Sequence, residues 1–197
     1  MLSIDGIYED LYVINKSKFY AFAYPVTTEV QVKDYLNILR DKFADATHIC
    51  YAYSLSSPRL EKADDNGEPS GTAGKPILEL IKKKNMDNVF VAVVRYFGGI
   101  KLGAGGLVRA YTTSANLVLD KAKIIEMIEV ETFRVEVDVQ NGARLMDSIR
   151  AFGGEIICCV YEDRAIVEFR GHIIDKIKSI YPNAKVERIG SEMICRK

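Results

Sequence analysis

The sequence predicts an α+β protein of two domains, and three observations carry that prediction. Up to residue 130, short apolar and β-branched runs alternate with segments whose apolar residues recur at helical spacing. From Glu131 onward the order becomes β-α-β-β-α-β within about 65 residues, the split βαβ or ferredoxin-like pattern. Within the first of these, eight of the chain's 14 glycines crowd into Ala63 to Tyr111, a density that costs backbone entropy and points to a contact surface. A boundary near Val130 divides residues 1–130 from 131–197.

The elements follow in order. Leu11 to Asn15 and Phe19 to Val26 are two strands separated by Lys16-Ser17-Lys18. Thr28 with Gln31 three residues later forms a capping box, and Val32, Tyr35, Leu36, Leu39, Phe43 and Ala46 then trace one face of a helix laid on a sheet. His48 to Leu55 is a strand with His48, Cys50 and Ala52 on one face. The segment Asp64-Asp65-Asn66-Gly67-Glu68-Pro69-Ser70-Gly71-Thr72-Ala73-Gly74 excludes helix and strand, and Pro76 suits the first turn of a short helix that ends near Lys84 and Asn85.

Val89 to Val94 is nearly continuous apolar and β-branched, the pattern of a strand covered on both faces. Gly98 and Gly99 end it. A longer helix starts near Ala104 to Gly106, with Leu107, Ala110, Tyr111, Ser114, Leu117, Val118 and Lys121 inward and Arg109 outward. Lys123 to Val130 returns as a strand. Phe133 to Val139 alternates strictly, so it is half-buried with a polar outer face. Asn141 caps a helix that ends at Gly153-Gly154, Glu155 to Tyr161 and Ala165 to Arg170 are strands, a helix follows up to Pro182, and Lys185 to Ile189 is the last strand.

Composition sets bounds on function. Lys plus Arg and Asp plus Glu are equal at 27 each, so no global field draws the chain to nucleic acid or an anionic membrane, and any such contact needs a local patch. No stretch reaches the roughly 20 apolar residues of a membrane span and no early run resembles a signal peptide, so a cytoplasmic protein without membrane contact is expected. Cys50, Cys158, Cys159 and Cys195 lack zinc-ligand or disulfide-scaffold spacing and are read as reduced thiols.

Two nucleotide motifs are tested and fail. At Gly74-Lys75 the phosphate-cradling loop needs Gly and Ser or Thr where Pro69 and Pro76 stand. Gly103-x-Gly105 has Val108 at the third glycine position of the dinucleotide fingerprint. What remains is an anion site. Free amides at a helix start, with Gly98, Gly99, Gly103, Gly105 and Gly106 allowing close approach, are flanked by Arg95, Lys101 and Arg109. Lys75, with Gly71 and Gly74, joins them if the two glycine-rich segments converge. Against this stands tight helix-strand packing with solvated cations, and residue types leave both open.

Other constellations are weaker. Asp64, Asp65 and Glu68 have the chemistry for a divalent metal or acid-base work, but no His accompanies them. Loop hydrogen bonds, helix N-terminal charge and salt bridges to the basic cluster are their milder roles. Cys50 beside His48 lacks a third orienting group, so a packed Cys next to a hydrogen-bonded His is expected, and His172 lies apart on a turn. No metal, cofactor or catalytic residue is assigned.

At these residues the chain resembles the YigZ/IMPACT family. The matching pieces are Lys18-Phe19 through Pro25-Val26, Ala46-Thr47-His48 with Cys50, Ala52 and Tyr53, then Asp64-Asp65, Gly67-Glu68-Pro69, Gly71-Thr72-Ala73-Gly74 and Pro76. Val94-Arg95-Tyr96-Phe97-Gly98-Gly99 through Leu102-Gly103, Gly105-Gly106-Leu107 and Arg109-Ala110-Tyr111 is the most specific. Asn66, inserted before Gly67, and Phe97, where tyrosine is frequent, depart from the pattern. The resemblance implies a first domain with the left-handed βαβ fold of elongation factor G domain IV and of a small-subunit ribosomal protein, and a ferredoxin-like second domain resembling domain V of that factor. It also implies a link to translational control, as eukaryotic relatives act there by protein binding. The expectation is a non-enzymatic binding protein whose partner is RNA, the ribosome or a translation-associated protein. The rival is an enzyme acting on a phosphorylated small molecule or nucleotide.

Overall fold

The computed structural model describes residues 1–196 and divides into two compact units, Met1–Glu126 and Met127–Lys197. The first holds β1 (Leu2–Ile4), β2 (Tyr8–Ile14), β3 (Ser17–Pro25), α1 (Glu29–Lys42), β4 (His48–Ser56), β5 (Arg59–Asp64), α2 (Gly74–Lys83), β6 (Val89–Tyr96) and α3 (Gly103–Lys121). Its sheet runs β2-β3-β6-β4-β5 with each neighbouring pair antiparallel. Strands β3 and β4, joined through α1, therefore run parallel to each other on either side of β6.

Both faces of that sheet are covered. Phe22, Tyr24, Tyr51, Phe90 and Val94 pack against Val32, Leu36 and Leu39 of α1. Phe19, Ala21, Cys50, Val91 and Val93 pack against Ile77 and Ile81 of α2 and Leu107, Tyr111 and Val118 of α3. Strand β6 lies in the middle, and Val89 to Val94 are 0% exposed, as a continuous apolar run requires. The capping box forms at Thr28 and Gln31. The inner stripe of α3 differs in part from the sequence reading: Ala115 and Leu119 are buried, while Leu117 and Lys121 are exposed. Strand β5 was not anticipated, because Arg59 to Asp64 carries the exposed polar residues of an edge.

Strand β7 (Ile124–Val137) is a single strand where two were expected. Its first residues pair with β1, and from Met127 onward it belongs to the second unit. There it is followed by a 3-10 turn (Val139–Asn141), α4 (Gly142–Ala151), β8 (Glu155–Tyr161), β9 (Ala165–Arg170), α5 (Ile174–Ile180) and β10 (Lys185–Cys195). The order β10-β7-β9-β8, all antiparallel, with Leu145, Ile149 and Ile177 of the helices buried against Val135, Val167 and Phe169, is the ferredoxin-like arrangement. Asn141 stands at the N-cap of α4 but makes no side-chain capping bond, since the 3-10 turn already approaches the helix in helical geometry.

The alternation of β7 sets the other sheet face. Arg134 faces Glu168 across the β7-β9 pair and Glu187 across the β7-β10 pair, and both are ion-paired to it. Glu136 meets Lys185, and Arg170 meets Glu155 and Glu192. Opposite charges directly across a ladder neutralise that face internally. Among the described residues no helix is long and apolar enough to cross a membrane.

Candidate functional site

The β4-β6 pairing places His48 opposite Arg95, with Cys50 two residues along, all toward α3. An arginine at the end of a covered strand needs a counter-charge, and the first glycine-rich segment supplies it. Glu68 Oε1 accepts from Arg95 Nη1 at 2.5 Å and from the Tyr111 hydroxyl at 2.8 Å, and stands 3.9 Å from His48 Nε2. The side chains of Glu68 and Arg95 are 3% and 7% exposed. The Arg95 guanidinium also lies 5.4 Å from the Phe19 ring and 5.5 Å from the Phe97 ring, while among the described residues its Nε has no hydrogen-bond partner.

Around this clamp the loop is tied by its own side chains. The Asp65 carboxylate accepts from the backbone amides of Gly71 (2.7 Å), Ala73 (2.9 Å) and Gly74 (2.8 Å), filling the N-terminus of α2. Burial pulls the Asp65 carboxyl upward, but the amides of Gly71, Gly74 and Ala73 outweigh it and hold its pKa below the usual aspartate value. Asn66, at φ 42°, accepts from Ile49 N through Oδ1 and from the His48 ring through its carbonyl, so His48 carries its proton on Nδ1. The Cys50 thiol lies 2.9 Å from the Asp65 carbonyl and 3.3 Å from the Tyr111 hydroxyl, and burial pushes its pKa up to about 12. Such a thiol is a packed hydrogen-bonding group, not a nucleophile.

The two glycine-rich segments therefore do meet, but at a buried carboxylate rather than in a shared cationic patch. Arg95 is corrected from a surface anion ligand to a buried structural cation, since Glu68 already neutralises it. Gly71 and Gly74 are corrected likewise, because Asp65 takes their amides, and Gly74 is buried where a Cβ would lie 2.6 Å from the Asp64 backbone nitrogen. Gly98 is needed for packing, as its Cβ would lie 2.0 Å from the Lys16 carbonyl carbon. Lys75 is exposed and stands 3.9 Å from Glu79, one turn along its own helix.

The start of α3 is different. Leu102 at the N-cap provides no side-chain hydrogen bond, and a Cβ at Gly99, Gly103 or Gly105 would meet nothing within 4 Å. Gly99 and Gly103 have φ of 82° and 69°, which glycine adopts freely. Gly106 is half-buried, its Cβ position 3.0 Å from that of Leu102. Lys101 and Arg109 are exposed at this end, and among the described residues neither forms an ion pair. The sequence reading missed Tyr111 as a partner of Glu68, treating it only as part of an apolar stripe, although a hydroxyl on such a stripe signals a buried acceptor.

The fold and site define a two-domain α+β protein in which one glycine-rich segment is closed by internal carboxylates and the other presents an open helix start. The chain belongs to the Impact N-terminal domain family, whose profile matches residues 15–119, more than half its length. The Bacillus subtilis protein named IMPACT family member YvyE is 44% identical over 115 residues, which are 58% of this chain and 53% of that protein. Protein IMPACT of Homo sapiens is 35% identical over 112 residues, covering 54% of this chain and 34% of the human protein. The matched region thus spans about half of the bacterial relative. A solved structure described as that of a hypothetical protein shares the fold with a TM-score of 0.75 at 23% identity, over 95% of this chain and 96% of that one.

Proposed function

We propose that the chain is a non-enzymatic binding protein linked to translation or its regulation, contacting RNA of the ribosome or a protein partner with an anionic surface. Membership of the family supports the link to translation. The observation that carries the binding face is the unfilled start of α3, where uncapped amides of glycines in open space lie near Lys101 and Arg109. The equivalent amides of α2 are occupied by Asp65, so the face is narrower than the sequence suggested. The commitment of Glu68 to Arg95 and Tyr111, and of Cys50 to packing, favours binding over covalent or acid-base chemistry.

The test is co-sedimentation of the purified chain with ribosomes from a lysate, with and without nuclease. Lys101→Ala/Arg109→Ala is expected to release the chain, and binding is expected to fall steeply with salt if RNA is the partner. Association that resists both salt and this double substitution overturns the face, and saturable stabilisation by one nucleotide with product formed overturns the non-enzymatic reading.

A further inference from the structure

A second surface of the first domain carries its own chemistry. Phe43, the residue that ends α1, rests on Tyr20 at 5.7 Å and Phe22 at 5.5 Å. The sheet face continues past it through Tyr20, Lys18 and Tyr96, where Lys18 and Tyr96 are register partners on β3 and β6. Together with Phe97 and Lys16 these side chains line a shallow groove. Phe97 is 46% exposed, a large cost for a core residue but ordinary for a stacking platform.

The turn that carries Lys16 is held in place. Asn15 and Lys16 form the two-residue turn between β2 and β3, at φ 46° and 60°. Glycine is favoured at the second position of such a turn, so lysine there strains the backbone. The turn backbone packs directly on Gly98, whose amide donates to Ser17 Oγ at 3.1 Å, and Ser17 is fully buried. The backbone of Lys16 is thereby fixed against Gly98, next in sequence to Phe97. Among the described residues neither Lys16 nor Lys18 forms an ion pair. The Asp45 carboxylate accepts from the Tyr96 hydroxyl at 2.6 Å, which pushes that phenol up to about 12.

We infer that this groove binds single-stranded RNA, one unpaired base stacking on the exposed part of the Phe97 ring while Lys16 and Lys18 meet the adjoining phosphates. An exposed ring offers a π face that every base can use, and lysines without an ion-pair partner complement a phosphate backbone. Bases paired in a duplex present no free face to such a groove, so the single strand is favoured. The inference deepens the reading of the chain as a translation-linked binder and rests on it.

The test is fluorescence anisotropy of a labelled oligouridylate of about ten nucleotides, within the usual footprint of such sites, on the purified full chain. Phe97→Ala is expected to weaken binding about tenfold with the salt slope unchanged, and Phe97→Tyr to retain it. Lys16→Gly relieves the turn strain, so it is expected to raise thermal stability while lowering the slope of log K against log salt by about 0.7. No oligonucleotide binding by the wild type, or binding indifferent to Phe97→Ala and Lys16→Gly, overturns the groove. If ribosome association still depends on Lys101 and Arg109 in that case, the functional reading stands without it. Ribosome association that survives nuclease and is lost in Phe97→Ala makes the groove a protein-docking site and overturns the RNA assignment.

Discussion

The two glycine-rich segments have similar composition and opposite architecture. In the first, Asp65 occupies the amides of Gly71, Ala73 and Gly74, Asn66 ties the loop to β4, and Glu68 is buried against Arg95. In the second, Leu102 leaves the start of α3 uncapped, and Gly99, Gly103 and Gly105 face open space. The difference lies in the carboxylates. A loop that carries its own anions satisfies its own helix terminus and the Arg95 of the neighbouring strand, whereas Gly98 to Arg109 contains no Asp or Glu and leaves its helix start, Lys101 and Arg109 available.

Three substitutions sharpen that contrast. Glu68→Ala leaves the buried Arg95 without a counter-charge and is expected to destabilise the first domain by about 3–5 kcal/mol, read from denaturant midpoints. A loss near that of an exposed ion pair, under about 1 kcal/mol, would mean the clamp is solvated. Gly74→Ala drives a methyl into the Asp64 backbone and is expected to cost about 1–3 kcal/mol. Gly105→Ala, in an open helical position, is expected to stabilise by about 0.5–1 kcal/mol and to weaken the proposed binding by blocking approach to the amides. Equal effects of the two would erase the distinction.

The smallest effect concerns pH. Because the folded Asp65 carboxyl titrates below its unfolded value, its contribution is present above the ordinary aspartate pKa of about 3.9 and is lost as pH falls through the folded pKa. Asp65→Asn is expected to lower neutral-pH stability by about 1–2 kcal/mol and to make acid unfolding shallower. An unchanged acid limb in the variant would show that the three amides do not depend on this charge.

Local signals were legible where one chain segment contains both partners of an interaction. The capping box at Thr28 and Gln31, the covered run of β6, and the β-α-β-β-α-β order after Glu131 are of this kind. The milder roles foreseen for the acidic loop residues, helix N-terminal charge and a salt bridge to a basic residue, are those that Asp65 and Glu68 perform. Strand β5 is not legible because its two apolar residues, Leu60 and Ala63, face opposite sides of the sheet among charged neighbours, and β7 reads as two because Val130 to Thr132 breaks the alternation without breaking the strand. Arg95 was misplaced because exposure of a strand-end arginine depends on a residue 27 positions away.

By itself the sequence determined the fold class and the order of most elements, because periodicity and capping act over a few residues, and its motifs from Lys18 to Tyr111 carried the resemblance to the family. Tertiary structure alone decided which cations remain available and which glycines serve packing. Those outcomes follow from charges and backbones brought together across β4, β6 and α3, and the energy of a buried pair depends on burial and distance that no linear spacing contains.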